Sequence, residues 1–458
     1  MEWIDAATAA ERLGVKPATL YAYVSRGVLA RRHSDDGRRS LFSAEEIERL
    51  ARRGRPRSQP PELVIESAVT ALGTDRQYYR GLDALGLART SSFEAVADWL
   101  WTGNPTTQQP PPPQPSPPQP SPPQPSAPRP DTTSSPGHRD ADLSSGGGGG
   151  EDAGSPRHPQ PEEVPQRREM AGSPWRAEPG GLRAAVAAQR GLPEDLLPLD
   201  RLQVITTVLG AADGLRYQLD PASVAATGRR MIAGLVDALP PLGEPRGDAI
   251  AERLWARLCP HPAPPALLDA LRAALVLLAD HELAASTLAA RVAASAKADP
   301  YAVVLTGLGV LGGPLHGGAS YGAERLLAEV AEPGQAARAV ADRVRRGERI
   351  PGFGHSVYKN GDGRGALLLD LVEAAAPGHE RIAAGRAVLA EMRRRRLPER
   401  NIDFVLAVLT AVSGMVRGAG EAIFAVARTA GWLAHAMEEY ERGTLLRLRA
   451  SYTGPPVT

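Results

Sequence analysis

The sequence predicts a mainly α-helical protein, and three regions of different composition lead to that prediction. The largest region, residues 182–458, is rich in alanine and leucine, which favour helices. A basic segment at residues 1–57 shows the apolar spacing of short helices. About residues 105–180 form a repeat of proline, glutamine and serine followed by a glycine run, which cannot bury enough apolar surface to fold. We therefore expect helical domains interrupted by a disordered insertion.

Length, charge and cysteine content exclude several classes of protein. The 458 residues allow two or three domains with a sizeable core. The net charge of +1 predicts no general attraction to polyanions. A single cysteine, Cys259, excludes an internal disulfide framework and suits a reducing compartment. Because the first residues are acidic and lack the apolar run of a signal peptide, we expect a cytoplasmic protein.

One uncharged stretch, residues 300–321, has the length of a membrane span. It contains repeated glycines together with Pro314 and His316. These residues favour a buried helix followed by a ligand-facing turn, so we predict no transmembrane segment and no membrane partner.

The first domain, residues 1–57, has the pattern of a helix-turn-helix. Residues 6–13 have helical spacing, Gly14 to Lys16 form a turn, and Pro17 opens a second helix that continues through Tyr23. Two short helices joined by a glycine-containing turn are typical of this motif.

A wing and a third helix follow the helix-turn-helix. Residues 29–42 fit a hairpin around Asp36 and Gly37, a strong two-residue turn signal. Ser43 and the acids that follow it predict the capped start of a helix to about Arg53.

This pattern resembles the MerR-type winged-helix modules, in which the second helix enters the DNA major groove. Residues 1–58 contain 12 Lys and Arg against 8 Asp and Glu, a local balance of +4. DNA is therefore a possible partner, whereas the same fold also serves for protein docking or dimerisation. The candidate DNA contacts are Lys16, Thr19, Tyr21, Tyr23, Arg26, Arg31, Arg32, Arg38 and Arg39.

Three phrases in the large C-terminal region carry side chains that handle protons. They are Gly312-Gly313-Pro314-Leu315-His316-Gly317-Gly318, Pro351-Gly352-Phe353-Gly354-His355 and Asn401-Ile402-Asp403-Phe404. Two histidines and one acid are suited to general acid–base chemistry. We expect the glycines around the histidines to let a ligand lie close to the backbone.

The three phrases, in this order, resemble those of the citrate synthase family. The resemblance covers most of residues 61–104 and 181–458, so the insertion interrupts the catalytic domain at a surface loop after a helix ending near Trp101. It implies an almost entirely helical fold with a large and a small domain, the small one at roughly residues 318–425. It also implies a homodimer that condenses acetyl-CoA with oxaloacetate and then hydrolyses the thioester.

The resemblance assigns catalytic roles to His316, His355 and Asp403. We expect the helix that begins near Gly318 to lower the pKa of His316, so that a neutral ring donates to the thioester oxygen. Asp403 would remove the methyl proton of acetyl-CoA, although Asn401 to Asp403 is also an ordinary helix cap. His355 would stabilise the alkoxide that forms at the ketone of oxaloacetate.

Further residues are implied by resemblance to bind the substrates. Arginine forks bind carboxylates bidentately, which a dicarboxylate demands. The family's last arginine reaches the site of the other subunit, so Arg447 implies a homodimer with each site completed in trans. Lys359 is either a contact for the CoA phosphates or a solvated lysine. The oxaloacetate set is His281, Arg364, Arg428 and Arg447.

The chain departs from the family at Ala284, Gly363 and Leu448, where asparagine and two prolines are usual. At Gly363 and Leu448 we expect local loosening without loss of ligand binding, whereas Ala284 removes one polar side chain near the site. The predicted activity is that of a citrate synthase, with acetyl-CoA as a substrate, no cofactor and no metal. One alternative is a 2-methylcitrate synthase that uses propionyl-CoA; another is a DNA-binding regulator that senses a metabolite.

Overall fold

The computed structural model describes residues 3–13, 15, 17–25, 29–34, 40–47, 64–103, 175–358, 361–450 and 453–454. The chain forms two compact units, Met1–Glu66 and Ser67–Thr458.

The first unit combines short helices with a small antiparallel sheet whose strand order is β1-β3-β2. Its apolar core includes Ala9, Leu20, Phe42 and Ile47, none of which is exposed to solvent. Its elements are β1 (Trp3–Asp5), α1 (Ala6–Leu13), α2 (Pro17–Ser25), β2 (Arg31–His33) and β3 (Ser40–Ser43).

Most of the predicted elements of this unit are confirmed. Helix α1 has the predicted bounds, α2 runs slightly further than expected, and β2 pairs with β3 as a hairpin. Ser43 Oγ accepts a hydrogen bond from Glu46 N at 3.4 Å, and residues 44–47 are helical. Strand β1 was not foreseen, because three residues are too few for a periodic pattern. The wing tip and the candidates Lys16, Arg26, Arg38 and Arg39 lie outside the described residues.

The second unit starts with a small sheet and continues almost entirely as helices. The part before the insertion contains β4 (Thr70–Leu72), β5 (Gln77–Tyr79), β6 (Leu82–Asp83), α3 (Ala84–Thr90) and α4 (Phe93–Thr102). The part after it contains α5 (Pro179–Ala188), α6 (Pro198–Ala212), α7 (Pro221–Asp237), α8 (Ile250–Leu258), α9 (Pro265–Leu278), α10 (Ala285–Ser295), α11 (Pro300–Leu311), α12 (Gly318–Ala328), α13 (Ala336–Arg345), α14 (Gly363–Ala375), α15 (Glu380–Arg394), α16 (Ile402–Ser413) and α17 (Ala419–Arg442). A 3₁₀ turn, Pro333–Gln335, precedes α13.

Several of these helices begin with the same local signal. Asp220 and Asp299 each accept hydrogen bonds from the first turn of a helix, and each is followed by a proline at the first helical position. A proline there loses no hydrogen bond, and the acidic cap satisfies an otherwise unpaired amide. Residues next to each other in the sequence therefore determine where these helices begin.

Helix α17 occupies the centre of the second unit. It has 24 residues, and Trp432, Leu433 and Ala434 in its middle are fully buried. A Cβ added at Gly307 of α11 would lie 2.6 Å from the Trp432 ring, so the two helices cross closely. This packing places Arg428 of α17 inside the core.

The two ends of the insertion lie beside each other. Trp101 near the end of α4 stacks on Trp175 with ring centroids 5.7 Å apart, and both are buried. Helix α5 starts at Pro179, whose preceding residue Glu178 caps it, so ordered packing resumes earlier than the predicted boundary at Gly180. Residues 104–174 are not described.

Among the described ranges, no helix is both long enough and apolar enough to cross a membrane.

Candidate active site

The loop that carries His316 connects α11 to α12. A Cβ at Gly318 would lie 2.6 Å from the carbonyl oxygen of Gly312, and one at Gly317 would lie 2.6 Å from the Leu311 side chain. These two glycines are therefore required for the loop to fold against itself. That they also let a ligand approach the backbone stays a prediction.

His316 is half-buried and its ring is held by a serine from α10. Ser286 Oγ lies 2.7 Å from His316 Nε2, and Trp432 Nε1 donates to the same Oγ at 3.2 Å. Among the described hydrogen bonds, His316 Nε2 is the one acceptor within reach of the serine proton, so the neutral ring carries its own proton on Nδ1. His316 thus has one N–H for a ligand.

Burial, reinforced by the charge of Arg428, lowers the pKa of His316 to about 4. The predicted direction is correct, and α12 does begin at Gly318. The physical cause is desolvation of the imidazolium rather than the helix terminus. His316 is consequently neutral at physiological pH.

The second and third phrases are linked directly to each other. Phe353 pairs with Arg400 in an isolated antiparallel bridge, and Asn401 N donates to the Gly352 carbonyl at 2.9 Å. Gly352 has φ +82°, and a Cβ there would lie 2.7 Å from Phe404 Cβ, so only glycine fits. Asn401 Nδ2 also donates to the Gly354 carbonyl at 2.9 Å. These bonds hold the His355 loop against the start of α16.

Asp403 lies in the first turn of α16. The Asn401 side chain accepts from Asp403 N at 3.0 Å, which confirms the helix cap expected from the sequence. Ser320 Oγ of α12 donates to Asp403 Oδ1 at 2.5 Å. Burial raises the pKa of Asp403 to about 6, and the Ser320 bond opposes that rise. A carboxylate with this raised pKa is a stronger base than one in water.

His355 and Arg364 lie next to each other in the site. The Nδ1 atom of His355 accepts from the backbone N–H groups of Val357 at 3.0 Å and Tyr358 at 3.2 Å. A neutral ring must then carry its proton on Nε2, which lies 3.4 Å from Arg364 Nη2. Because a guanidinium can only donate, the 3.4 Å contact is not a hydrogen bond in this tautomer, and the Nε2–H of His355 lies beside the Arg364 donor as a second donor.

Arg364 is buried but paired. Asp362 accepts from Arg364 Nε at 2.9 Å and from Nη2 at 2.8 Å, and Asp362 Oδ2 also accepts from Ile402 N at 3.0 Å. Burial disfavours the charge of Arg364, but the ion pair outweighs it and raises the pKa of the guanidinium. The same carboxylate links Arg364 to the helix that carries Asp403.

Arg428 is as deeply buried as Arg364 but has different hydrogen-bond partners. Its Nε donates to the Leu278 carbonyl at 2.8 Å, whereas Nη1 and Nη2 have no hydrogen-bond partner among the described residues. Its Cζ lies 4.7 Å from the centroid of the Phe424 ring, which in turn meets the His316 ring edge-on at 5.8 Å. Burial lowers the pKa of Arg428 to about 10. A buried guanidinium with two unpaired nitrogens is costly, so this group is suited to binding an anion.

His281 lies close enough to both arginines to feel their charges. It is 8% exposed, and its ring centroid is 5.2 Å from that of His355. Burial, followed by the charges of Arg364 and Arg428, lowers the pKa of His281 well below its ordinary value. His281 is therefore a neutral imidazole in a cationic surrounding.

The structure thus brings six predicted site residues into one neighbourhood: His281, His316, His355, Arg364, Asp403 and Arg428. Arg447 is exposed on the segment after α17, and the described contacts do not join it to the six. Lys359 lies outside the described residues. The N–H of Gly363 donates to the Asp75 carbonyl at 2.8 Å, a bond that a proline could not make.

Sequence reasoning missed several side chains that contact the six. They are Ser286, Ser320, Tyr358, Asp362 and Phe424. A weak signal existed for two of them, because Ser286 closely follows His281 and Ser320 lies one helical turn after His316.

Comparison with known proteins gives two family matches. Residues 163–449 match the model described as "Citrate synthase, C-terminal domain", and residues 3–55 match "Helix-turn-helix domain". "Citrate synthase 2" of Bacillus subtilis (strain 168) is 35% identical over 282 residues, which cover 57% of this chain and 74% of that protein. "2-methylcitrate synthase" of Mycobacterium tuberculosis (strain ATCC 25618 / H37Rv) is 30% identical over 286 residues, covering 59% and 72%.

Solved structures share the fold at low sequence identity. Citrate synthase from Thermotoga maritima MSB8 superposes with a TM-score of 0.62 at 23% identity, covering 87% of this chain and 95% of the other. The enzyme from Thermoplasma acidophilum, solved as a ternary complex with carboxymethyl coenzyme A and oxaloacetate, gives 0.63 at 20% identity, covering 87% and 96%.

Fold and site together define a helical protein in which buried guanidinium groups lie near side chains that can transfer protons. The length and strength of the family matches then make the assignment specific. The chain belongs to the citrate synthase family and is an acyltransferase of that type.

Proposed function

We propose that this enzyme condenses acetyl-CoA with oxaloacetate to give citrate and CoA, the reaction by which acetyl units enter the tricarboxylic acid cycle. The observation that carries the proposal is the buried Arg428, whose Nη1 and Nη2 have no partner among the described residues. A dicarboxylate would supply the missing acceptors, and the neutral imidazoles and Asp403 lie around it. No step in the proposal uses a metal or a further cofactor.

Oxaloacetate would bind first, with its carboxylates on Arg428 and Arg364. The Nε2–H of His355 would donate to the ketone oxygen, with His281 on the same side. Arg447 of a second copy would complete the carboxylate site, so we propose a homodimer. Closure of the small domain, roughly residues 318–425, would then exclude water from the site.

The acyl substrate would be activated by His316 and Asp403 acting together. Asp403 takes a methyl proton of acetyl-CoA while His316 Nδ1–H donates to the thioester oxygen, so that the enol forms without a free enolate. The enol carbon attacks the ketone carbon of oxaloacetate, and His355 stabilises the alkoxide. Water then hydrolyses the thioester of citryl-CoA and releases CoA.

Acetyl-CoA and propionyl-CoA both remain candidate substrates, because relatives named for citrate and for 2-methylcitrate synthesis match this chain. A single methylene is worth only about 1 to 3 kcal/mol in an apolar pocket. The deciding experiment measures CoA release from each acyl-CoA, with and without oxaloacetate. We expect release only when oxaloacetate is present. A lack of turnover with both acyl-CoAs would overturn the proposal.

A second role, DNA binding by the first unit, is favoured by the surface of α2. Thr19 and Tyr21 on this helix are exposed, and so is Arg31 on the first strand of the hairpin. In a cytoplasmic protein these side chains could contact DNA as those of a winged helix do. The full chain should then bind duplex DNA with steep salt dependence, and Arg38→Ala with Arg39→Ala should remove most of that binding. Binding that is weak and insensitive to both salt and the substitutions would instead favour a docking role.

A further inference from the structure

Tyr358 is the residue around which the oxaloacetate side of the site is packed. It is 2% exposed, and its ring stacks on the His355 ring with centroids 4.5 Å apart and an interplanar angle of 22°. The Arg364 Cζ lies 5.4 Å from the same ring. Its hydroxyl oxygen lies 3.0 Å from His281 Nε2. One tyrosine therefore contacts three of the six site residues.

The Tyr358 hydroxyl is oriented by Gln77 of β5. Gln77 Nε2 donates to the Leu277 carbonyl at 2.8 Å, and because a carbonyl can only accept, the amide group has a single orientation. Its Oε1 then faces Tyr358 and accepts from the hydroxyl at 3.2 Å. The tyrosine proton is committed to Gln77, so the tyrosine oxygen accepts the proton on His281 Nε2.

Gln77 itself is held rigidly. It is fully buried, and its Nε2 also donates to the Tyr79 hydroxyl at 3.1 Å. Gln77 precedes the insertion, whereas Tyr358 and the histidines follow it, and residue 77 lies outside the range 163–449 that matches the family's C-terminal model. The contact thus joins two parts of the enzyme that the insertion separates in sequence.

We infer that Gln77 and Tyr358 are positioning residues for the proposed reaction: Gln77 orients the Tyr358 hydroxyl, and Tyr358 holds the imidazoles of His281 and His355. The inference rests on the proposed function for its kinetic part. His281 is kept in the tautomer with its proton on Nε2, and the plane of His355 is fixed so that its Nε2–H stays beside Arg364. Both side chains are buried, so in this proposal they act through the histidines and not on the substrate.

Kinetics of Tyr358→Phe, Gln77→Leu and the double variant test the coupling. Tyr358→Phe keeps the stacked ring and removes the hydroxyl, so the KM for oxaloacetate should rise about 2- to 10-fold, the worth of one hydrogen bond. Gln77→Leu should act in the same direction, and the double variant should be no worse than Tyr358→Phe alone. The KM for the acyl-CoA should not change. Additive effects, or unchanged KM in both single variants, would overturn the inference.

A matched control is Tyr78→Phe, which removes a hydroxyl from the next residue of β5. Side chains alternate along a strand, so Tyr78 points to the opposite face from Gln77. This variant should match the wild type in KM. A KM effect equal to that of Gln77→Leu would show a general weakening of the strand and would contradict the inference.

A measurement that does not depend on catalytic turnover distinguishes a failure of this inference from a failure of the proposed function. In protein labelled with ¹⁵N-histidine, the His281 signal, identified by its loss in His281→Gln, should be that of a neutral ring protonated on Nε2. In Tyr358→Phe it should shift toward a mixture of tautomers. A wild-type His281 protonated on Nδ1 would overturn the inference, even if Gln77→Leu does not fold. The expected spectrum in a protein that releases no CoA would defeat only the proposed function.

Discussion

In one half of the site burial favours the neutral forms of the ionisable groups, whereas in the other half the buried groups keep their charge. In the acyl half, His316 and Asp403, burial moves both groups toward neutrality, with pKa values of about 4 and about 6. In the anion half, Arg364 and Arg428, both guanidinium groups stay charged although they are buried. This difference is what the proposed function requires, because one half would transfer a proton and the other would bind an anionic ligand.

Within the anion half the two arginines also differ. Arg364 is paired with Asp362, whereas Arg428 has two nitrogens without a partner among the described residues. The charge of Arg364 is therefore satisfied before a ligand arrives. The free energy that a bound carboxylate can still contribute comes mainly from Arg428.

The largest expected effect belongs to Arg428→Met. It removes the unsatisfied cation, so kcat/KM for oxaloacetate should fall by about 10²- to 10⁴-fold, corresponding to loss of a buried charge pair. The ligand-free protein should lose little stability, because no ion pair is broken and the loss of the Nε–Leu278 hydrogen bond, about 1 kcal/mol, is offset by removal of a buried charge. Steady-state kinetics and thermal unfolding measure the two effects.

Arg386→Met is the control for that comparison, since Arg386 forms an exposed ion pair with Glu373. It should leave both kinetics and stability nearly unchanged. Marked destabilisation of the ligand-free protein by Arg428→Met would show that Nη1 and Nη2 of Arg428 have partners. It would contradict the difference between the paired Arg364 and the partly unpaired Arg428.

Arg364→Met should behave differently from Arg428→Met. It leaves the Asp362 carboxylate buried and unpaired, so the free energy of unfolding should fall by about 3 to 5 kcal/mol. Adding Asp362→Asn should restore part of the stability without restoring turnover. Denaturant unfolding of the single and double variants tests this, and equal stability of the two variants would be evidence against the pairing.

Asp403→Asn tests the acyl half. Turnover should be lost, yet the protein should gain about 2 to 3 kcal/mol of stability at pH 8, because the folded state disfavours ionised Asp403. The folded pKa of about 6 lies above the ordinary value of 3.8, so the wild type binds a proton more readily when folded. The gain should therefore shrink as pH falls from 6 toward 4. The test is to measure the free energy of unfolding of the wild type and of Asp403→Asn across this pH range. A gain in stability that does not depend on pH would contradict the raised pKa of Asp403.

Ser320→Ala should give the smallest effect. The Ser320 hydroxyl lowers the pKa of Asp403 in the ligand-free protein, so its removal should move the acid limb of the kcat/KM profile to higher pH by up to about one unit. Thr306→Ala is a control, because that exposed hydroxyl only donates to the carbonyl of Ala302 in its own helix. An acid limb that stays in place in Ser320→Ala would mean that Asp403 does not set it.

Much of the fold could be predicted because its signals are local. The bounds of α1, the cap at Asn401 and the helix start at Gly318 depend on residues within one turn of each other. The partners of the site residues could not be predicted in this way. Ser320 and Asp403 are 83 positions apart, and Gln77 and Tyr358 are 281 apart, so no periodic pattern relates them.

By itself, the sequence determined which side chains could carry out the chemistry: two histidines and an acid in three recognisable phrases, arginines for a dicarboxylate, and an amino-terminal helix-turn-helix. Only the tertiary structure decided their chemical states. Which imidazole nitrogen bears a proton, which arginine is paired and how far the pKa of Asp403 rises all depend on burial and on partners distant in the chain. The physical reason is that desolvation and hydrogen bonding are properties of the packed interior, and no residue type possesses them alone.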